Sequence, residues 1–273
     1  MTPDEVLDMV TTPTSFRSYD LSLPFDDETP AARGAAPFKS ALLRRHGDWV
    51  RLDGSTGASE IITMGTHCGT HIDAFCHRSY EGKMHGDVAV PPTLDHGHYP
   101  LGIDTFRSGI YRGVLLDVAR MKGVDMLPAG EPITGDDLAA TCSAFNVDPR
   151  PGDVVLIRTG FVRIRKSDTY LGSAEGEPGP DESAARWLAE RRIAATGADT
   201  LGYEWLTKET GYAKMPVHRI LLVETGIYII ENMDLEELAE NQVYDFALVL
   251  APLRITGATG SPLRPIALVA SAQ

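Results

Sequence analysis

Between positions 67 and 77 the chain reads His67-Cys-Gly-Thr-His71-Ile-Asp73-Ala-Phe-Cys-His77, which gathers three of its eight histidines and a carboxylate into one short segment. His67, His71 and Asp73 offer two neutral imidazoles and a hard carboxylate oxygen. Such a set suits Zn2+ or Mn2+ and suits copper or an iron–sulfur cluster poorly. A divalent ion held there would lower the pKa of water and polarise a carbonyl, the two requirements of metal-assisted hydrolysis. Positions 67, 71, 73 and 77 are all odd, so an extended backbone would send the four side chains from one face, whereas a helix would pair only 67 with 71 and 73 with 77. Gly65 and Gly69 argue against a helix, and the segment is expected as strand and loop. Cys68 and Cys76 fall on even positions and are expected as small buried hydrophobes.

Two later residues have the right chemistry. His218 follows Pro216 and precedes an apolar run that could anchor it, and Glu231 ends the run Ile227-Tyr228-Ile229-Ile230, where a strand terminus could aim a carboxylate into a cleft. Taken singly, a hydrogen-bonded structural histidine and a solvated strand end remain open for these two positions.

These residues need a frame to position them. The apolar runs from Gly113 to Val118 and from Asp153 to Arg158 read as interior strands, and Ile193 to Ala198 reads as another after a helix. That helix covers Ser183 to Arg192, with Ala184, Ala185, Trp187 and Leu188 on its inward side, and Leu235 to Ala239 suits a helical turn. Pro- and Gly-bearing stretches near 29–36, 91–102 and 172–180 read as surface connections. A sheet covered by helices is the simplest arrangement, in one domain spanning 1–273. No phosphate loop or dinucleotide fingerprint is present. Gly257 to Pro262 is expected as a structured late loop able to border the pocket.

With 25 Lys and Arg against 38 Asp and Glu, the formal charge is −13, which disfavours a general nucleic-acid surface. The opening MTPDEVLDMV lacks the basic and apolar regions of a secretory signal, and no uncharged apolar span is long enough to cross a membrane. The three cysteines suggest no disulfide framework, so a cytoplasmic setting is expected.

The segment from His67 to His77 resembles the His-x-Gly-Thr-His-x-Asp-x-x-x-His signature of the metal-dependent cyclase-like hydrolases, which include bacterial kynurenine formamidases and isatin hydrolases. The resemblance extends to Tyr19-Asp20-Leu21-Ser22, to Gly152 through Gly160, and to His218-Arg-Ile-Leu-Leu with Ile229-Ile230-Glu231-Asn232. It implies an α/β chain with a swivelling β/β/α fold, a mixed sheet or open barrel-like core and flanking helices. A homodimer or larger homo-oligomer is also implied, with the N-terminal segment a candidate for its interface. The implied activity is hydrolysis of a small amide or lactam, aromatic ones included, by water activated on one or two divalent ions, Mn2+ or Zn2+. By residue match, His67, His71 and Asp73 are metal ligands, His77 is the catalytic histidine, and His218 and Glu231 complete a second metal site and share in catalysis. A related lyase or dehydratase, and a noncatalytic metal- or ligand-binding protein, are the alternatives. The motif continues as Arg78-Ser-Tyr80-Glu-Gly-Lys-Met84-His85, without the Pro-containing continuation common among formamidases, so kynurenine specificity does not follow. Tyr80, His85, His98, Phe16 and Trp49 are candidate pocket residues, and Arg158, Thr159, Asp199 and Thr200 stand at strand ends where a binding mouth or a structural pairing would both fit.

Overall fold

A computed structural model describes residues 16–32, 34–94, 98–171 and 175–270. The N-terminal stretch read above for a signal, and parts of the three Pro- and Gly-bearing connections, lie outside these described residues.

Thirteen strands are formed among the described residues: β1 (Phe16–Asp20), β2 (Lys39–Arg44), β3 (Ser59–Thr63), β4 (His71–Asp73), β5 (Gly109–Asp117), β6 (Pro132–Ile133), β7 (Val154–Arg158), β8 (Gly179–Pro180), β9 (Ala195–Ala198), β10 (Tyr228–Glu231), β11 (Asp245–Leu250), β12 (Gly260–Pro262) and β13 (Ile266–Ala270). The α-helices are α1 (Val118–Met121), α2 (Gly135–Phe145), α3 (Glu182–Glu190), α4 (Pro216–His218) and α5 (Glu236–Glu240). Nine strands make one mixed sheet in the order β1-β13-β11-β5-β7-β9-β10-β4-β12. Strands β5, β7, β9 and β10 run parallel, and the strands on either flank pair antiparallel.

Every residue of β7 is buried, as expected of a strand covered on both faces. Alternate side chains serve two apolar layers. Leu115, Leu156 and Ile230 join one with Tyr19, Ile72 and Phe246. Leu116, Val155, Ile157 and Ile229 join the other with Leu138, Leu188 and Leu221 from the helical side. Helix α3 buries Ala184, Ala185 and Leu188 and starts at Asp181, whose carboxylate accepts the N–H groups of Ser183 and Ala184. Helix α4 begins with Pro216 at its first turn and runs on as a π-helical turn (Arg219–Thr225).

Away from the sheet, β2 and β3 form a separate ribbon whose apolar side chains, Leu42, Leu43, Trp49, Ile61 and Ile62 among them, are exposed. No helix among the described residues is long and apolar enough to cross a membrane. The cysteines are free thiols, and Cys68 and Cys76 are buried as their spacing suggested.

Candidate metal centre

Three strands at one end of the sheet build the centre. In the antiparallel ladder His71 lies opposite Glu231 of β10 on one side and Pro262 of β12 on the other, while Asp73 lies opposite Ile229 and Gly260. Residues directly opposed, and those two apart, share a face. The imidazole of His71 and the carboxylates of Asp73 and Glu231 therefore leave the sheet together on the helical side, and Ile72 and Ile230 point into the opposite layer. Helix α4 brings His218 over this face, and Glu231 stands at the carboxyl end of a strand in the parallel set, where open α/β sheets place their ligands.

The alternation expected across positions 67 to 77 holds only for His71 and Asp73. The strand is three residues long; His67 lies before it in a turn, and His77 closes a 3-10 turn (Phe75–His77). These turns bring the outer histidines back to the same place, with the His67 and His77 rings 4.1 Å apart between centroids. Gly69 makes the first turn possible. Its φ is +60°, and a Cβ there would stand 2.8 Å from both Phe25 and Thr29 side chains.

His67 Nδ1 lies 2.7 Å from Asp73 Oδ1, and its Nε2 lies 2.9 Å from the Thr259 hydroxyl. His71 Nε2 sits 3.2 Å from Glu231 Oε2 and 3.5 Å from Asp73 Oδ1. It is buried and meets neither in hydrogen-bond geometry. On the far side of the group, His218 Nε2 is 3.2 Å from Glu231 Oε1 and 3.6 Å from Asp73 Oδ2, and His77 Nε2 is 3.9 Å from the same Asp73 oxygen. Ligand atoms of His67, His71 and Asp73 lie within 4.8 Å of one another, and so do those of Asp73, His77 and His218. The four histidines expected as ligands or catalytic groups thus converge on Asp73, and Glu231 joins them through His71 and His218.

The donor set fits a divalent ion. The orphaned Nε2 of His71 is the sharpest sign, because a buried polar nitrogen without a partner is costly and this one aims between two carboxylates. Each of the two deepest histidines is also held in the tautomer a ligand needs. His71 donates from Nδ1 to the Gly69 carbonyl at 2.8 Å, and His218 donates from Nδ1 to Glu204 Oε1 at 2.6 Å, so the Nε2 of each faces the group.

Charges in the group respond to one another. Burial raises the Asp73 carboxyl, but the neighbouring His77 and His67 outweigh it and hold the group well below its usual range. Burial lowers His71 and His218, yet the adjoining carboxylates win: Asp73 and Glu231 push His71 up to about 10, and Glu204 and Glu231 push His218 up to about 9. The site has a strong demand for positive charge. His77 is the exception, because burial lowers its imidazole to about 3 against the pull of Asp73, with His67, Arg78 and His218 adding to the drop. His77 therefore stays neutral at the rim of the group.

Glu204 and Thr70 had escaped sequence reasoning, whereas Thr259 and Gly260 lie in the late loop expected to border the pocket. Glu204, in the loop after β9, accepts the backbone N–H of His218 at Oε1 and that of Val217 at Oε2, so it fixes helix α4 as well as the ring. Thr259 binds His67 by its hydroxyl and takes the Ala74 N–H on its carbonyl, and Gly260 lies so close that a Cβ would stand 2.8 Å from His67 Cε1. The late glycine-rich loop therefore does border the site. Thr70, between the two motif histidines, ties Leu23 to Asn232 through its buried hydroxyl.

Other singled-out residues lie elsewhere. Arg158 is buried between Asp117 and Glu236, at 2.8 and 2.7 Å, and Asp199 accepts from Thr159 and Gly160, which makes both pairs structural ties. Asp199 is followed by Thr200, whose carbonyl takes the Asn232 N–H. His85 packs on Phe75 and meets the Val223 carbonyl, His98 lies against Gly257, Phe16 opens the edge strand β1 opposite Ala270, and Trp49 sits exposed between Arg44 and Arg51. Of the five candidate pocket residues, Tyr80 lines a cavity beside the centre.

Comparison with known proteins agrees with this geometry. Residues 19–205 match a family model described as "Putative cyclase". A crystal structure described as a novel cyclase superposes with a TM-score of 0.85 at 30% identity, covering 98% of this chain and 91% of the other. An isatin hydrolase of Roseibium aggregatum is 25% identical over 224 residues, 81% of this chain and 78% of the relative. A kynurenine formamidase of Bacillus cereus is 25% identical over 247 residues, 90% of this chain and 95% of the relative.

Proposed function

Since the chain belongs to the cyclase family, we propose that it is a metal-dependent hydrolase of a carbon–nitrogen bond in a small amide or cyclic amide. The observation that carries this reading is the convergence of four imidazoles and two carboxylates on one buried point, with the Nε2 of His71 left unpartnered there. The relatives named as isatin hydrolase and kynurenine formamidase add the reaction class.

His67, His71 and Asp73 would hold one ion, and His218 and Glu231, sharing Asp73, are the donors for a second. A divalent ion bound there supplies a Lewis acid for the amide carbonyl and favours ionisation of water at neutral pH. The protein's own part is to position and to move a proton. Asp73 orients His67, the Gly69 carbonyl and Glu204 fix the rings of His71 and His218, and His77 Nε2 is the proton acceptor at the rim that later returns the proton to the departing nitrogen. Mn2+ or Zn2+ is the ion this donor chemistry favours, in a cytoplasmic homodimer. The exposed apolar ribbon of β2 and β3 supports self-association.

Metal-quantified protein incubated with N-formylkynurenine or with isatin, and followed by mass spectrometry before and after chelation, tests this reading. Chelation-sensitive formate release or ring opening is the expected result. Full turnover after strict metal removal would overturn it.

A further inference from the structure

Directly after His77 the chain runs along the wall of a separate cavity of about 550 Å³. Arg78, Tyr80, Tyr212, Lys214 and Arg219 line it, with Glu182 as the lone carboxylate in the lining. The whole chain carries a formal charge of −13, so a cavity with three cations and one carboxylate reverses the prevailing sign. Clefts lined by one sign of charge concentrate ligands of the other.

Arg78 is the residue that lacks an explanation within the fold. Its Nη2 meets only the Met215 sulfur, at 2.8 Å, a weak acceptor, and its Nε is buried with no partner. Among the described residues no carboxylate lies within salt-bridge distance of Arg78 or Lys214, whereas Arg219 is paired with Glu224 at 3.0 Å and rests 5.0 Å over the Tyr80 ring. A partly buried guanidinium with an idle N–H is costly unless something completes it, and its planar fork matches a carboxylate. The position ties this fork to the reaction. Arg78 adjoins His77, and the Met215 it touches precedes His218 by three residues, so one bond bridges the two segments that carry those histidines.

We infer that Arg78 binds the anionic end of the substrate, and that the substrate is an aryl amide or lactam bearing a carboxylate, its ring in the cavity that holds Tyr80 and Tyr212 and its amide directed to the Asp73 centre. The substrate assignment rests on the hydrolase reading above; the anion site does not, and the test keeps the two apart.

Benzoate and benzamide, alike in shape and different in charge, are the probes, titrated calorimetrically into metal-loaded protein. Benzoate binds at least about tenfold tighter than benzamide, in keeping with a charge-assisted bidentate pair. Arg78→Gln removes that preference, Arg78→Lys keeps part of it, and Lys39→Ala, on the distant ribbon, leaves it unchanged; melting curves check that each variant folds. Equal binding of the two probes by the wild type overturns the inference. So does a benzoate preference that survives Arg78→Gln and vanishes in His71→Ala, since the carboxylate is then on the metal. Anion binding that depends on Arg78, in protein that hydrolyses no amide after metal reconstitution, would retain the site and overturn the hydrolase reading instead.

Discussion

Glu204 Oε1 lies 2.6 Å from Nδ1 of His218, and both residues are almost wholly inaccessible to solvent. A carboxylate behind a histidine fixes the ring's tautomer and raises its basicity toward whatever its other nitrogen faces. Replacing Glu204 by Gln keeps the volume and removes the charge. Metal affinity, measured by competition with a chromophoric chelator, is expected to fall about 10- to 100-fold, while circular dichroism shows the fold retained.

The inner and outer histidines separate in a paired measurement of metal content and rate. His71→Ala and Asp73→Ala lose bound metal at stoichiometric loading. His77→Ala, at a residue whose imidazole is held neutral, keeps its metal and loses turnover by about 10²- to 10⁴-fold. Equal metal loss in all three variants would contradict the role given to His77.

Gly260→Ala tests the contribution of the late strand. The new methyl would stand 2.8 Å from His67 Cε1 and 2.9 Å from the Ile72 carbonyl, so the His67 ring must shift. Overpacking of this kind costs about 1–3 kcal/mol. Lowered metal occupancy accompanied by a fall in melting temperature is expected, with manganese or zinc titration as the readout.

Stability toward acid should depend on Glu236. Burial raises its carboxyl, but hydrogen bonds and charge from Arg158 and Arg163 hold it below its ordinary value of 4.5. A group whose pKa is lower in the folded chain stabilises the fold above its unfolded pKa and loses that contribution as pH falls through the folded value. Denaturant midpoints should therefore drop below about pH 4.5. Glu236→Gln should cost about 2 kcal/mol at pH 7, the worth of hydrogen bonds to a charged group, and flatten the acid limb.

Legibility in the sequence followed the range of the interactions. Strand β7 was readable from Val154 to Arg158 because a strand covered on both faces is apolar throughout, and helix α3 was readable because its alanines and Leu188 repeat at helical spacing. The residue types of the candidate centre were readable from His67 to His77, since the chemistry proposed for them restricts residue type and spacing together. The extended periodicity there was misleading: two turns, not one strand, bring His67 and His77 together. Glu204 had no local signature. Its one clue was a carboxylate within the apolar run Tyr203-Glu204-Trp205-Leu206, a setting that demands a partner. Thr259 and Gly260 reach His67 only because β12 pairs with β4 across some 190 residues of chain, and no short-range pattern announces such a pairing.

That last pairing also sets a clock on the ribosome. Synthesis proceeds from the N-terminus at about 5–20 residues per second, so the segment carrying His67, His71 and Asp73 leaves the exit tunnel many seconds before β12 exists to close its open side. During that interval β4 has neither of its neighbours, because Glu231 and Gly260 are both still to be made. The nascent chain carries His67, His71 and Asp73 without the strands that bring them together, and the proposed centre is incomplete until the sheet closes. A message truncated shortly before codon 260 would yield protein that retains the signature motif and lacks β12, and weaker metal binding than that of the full chain is expected.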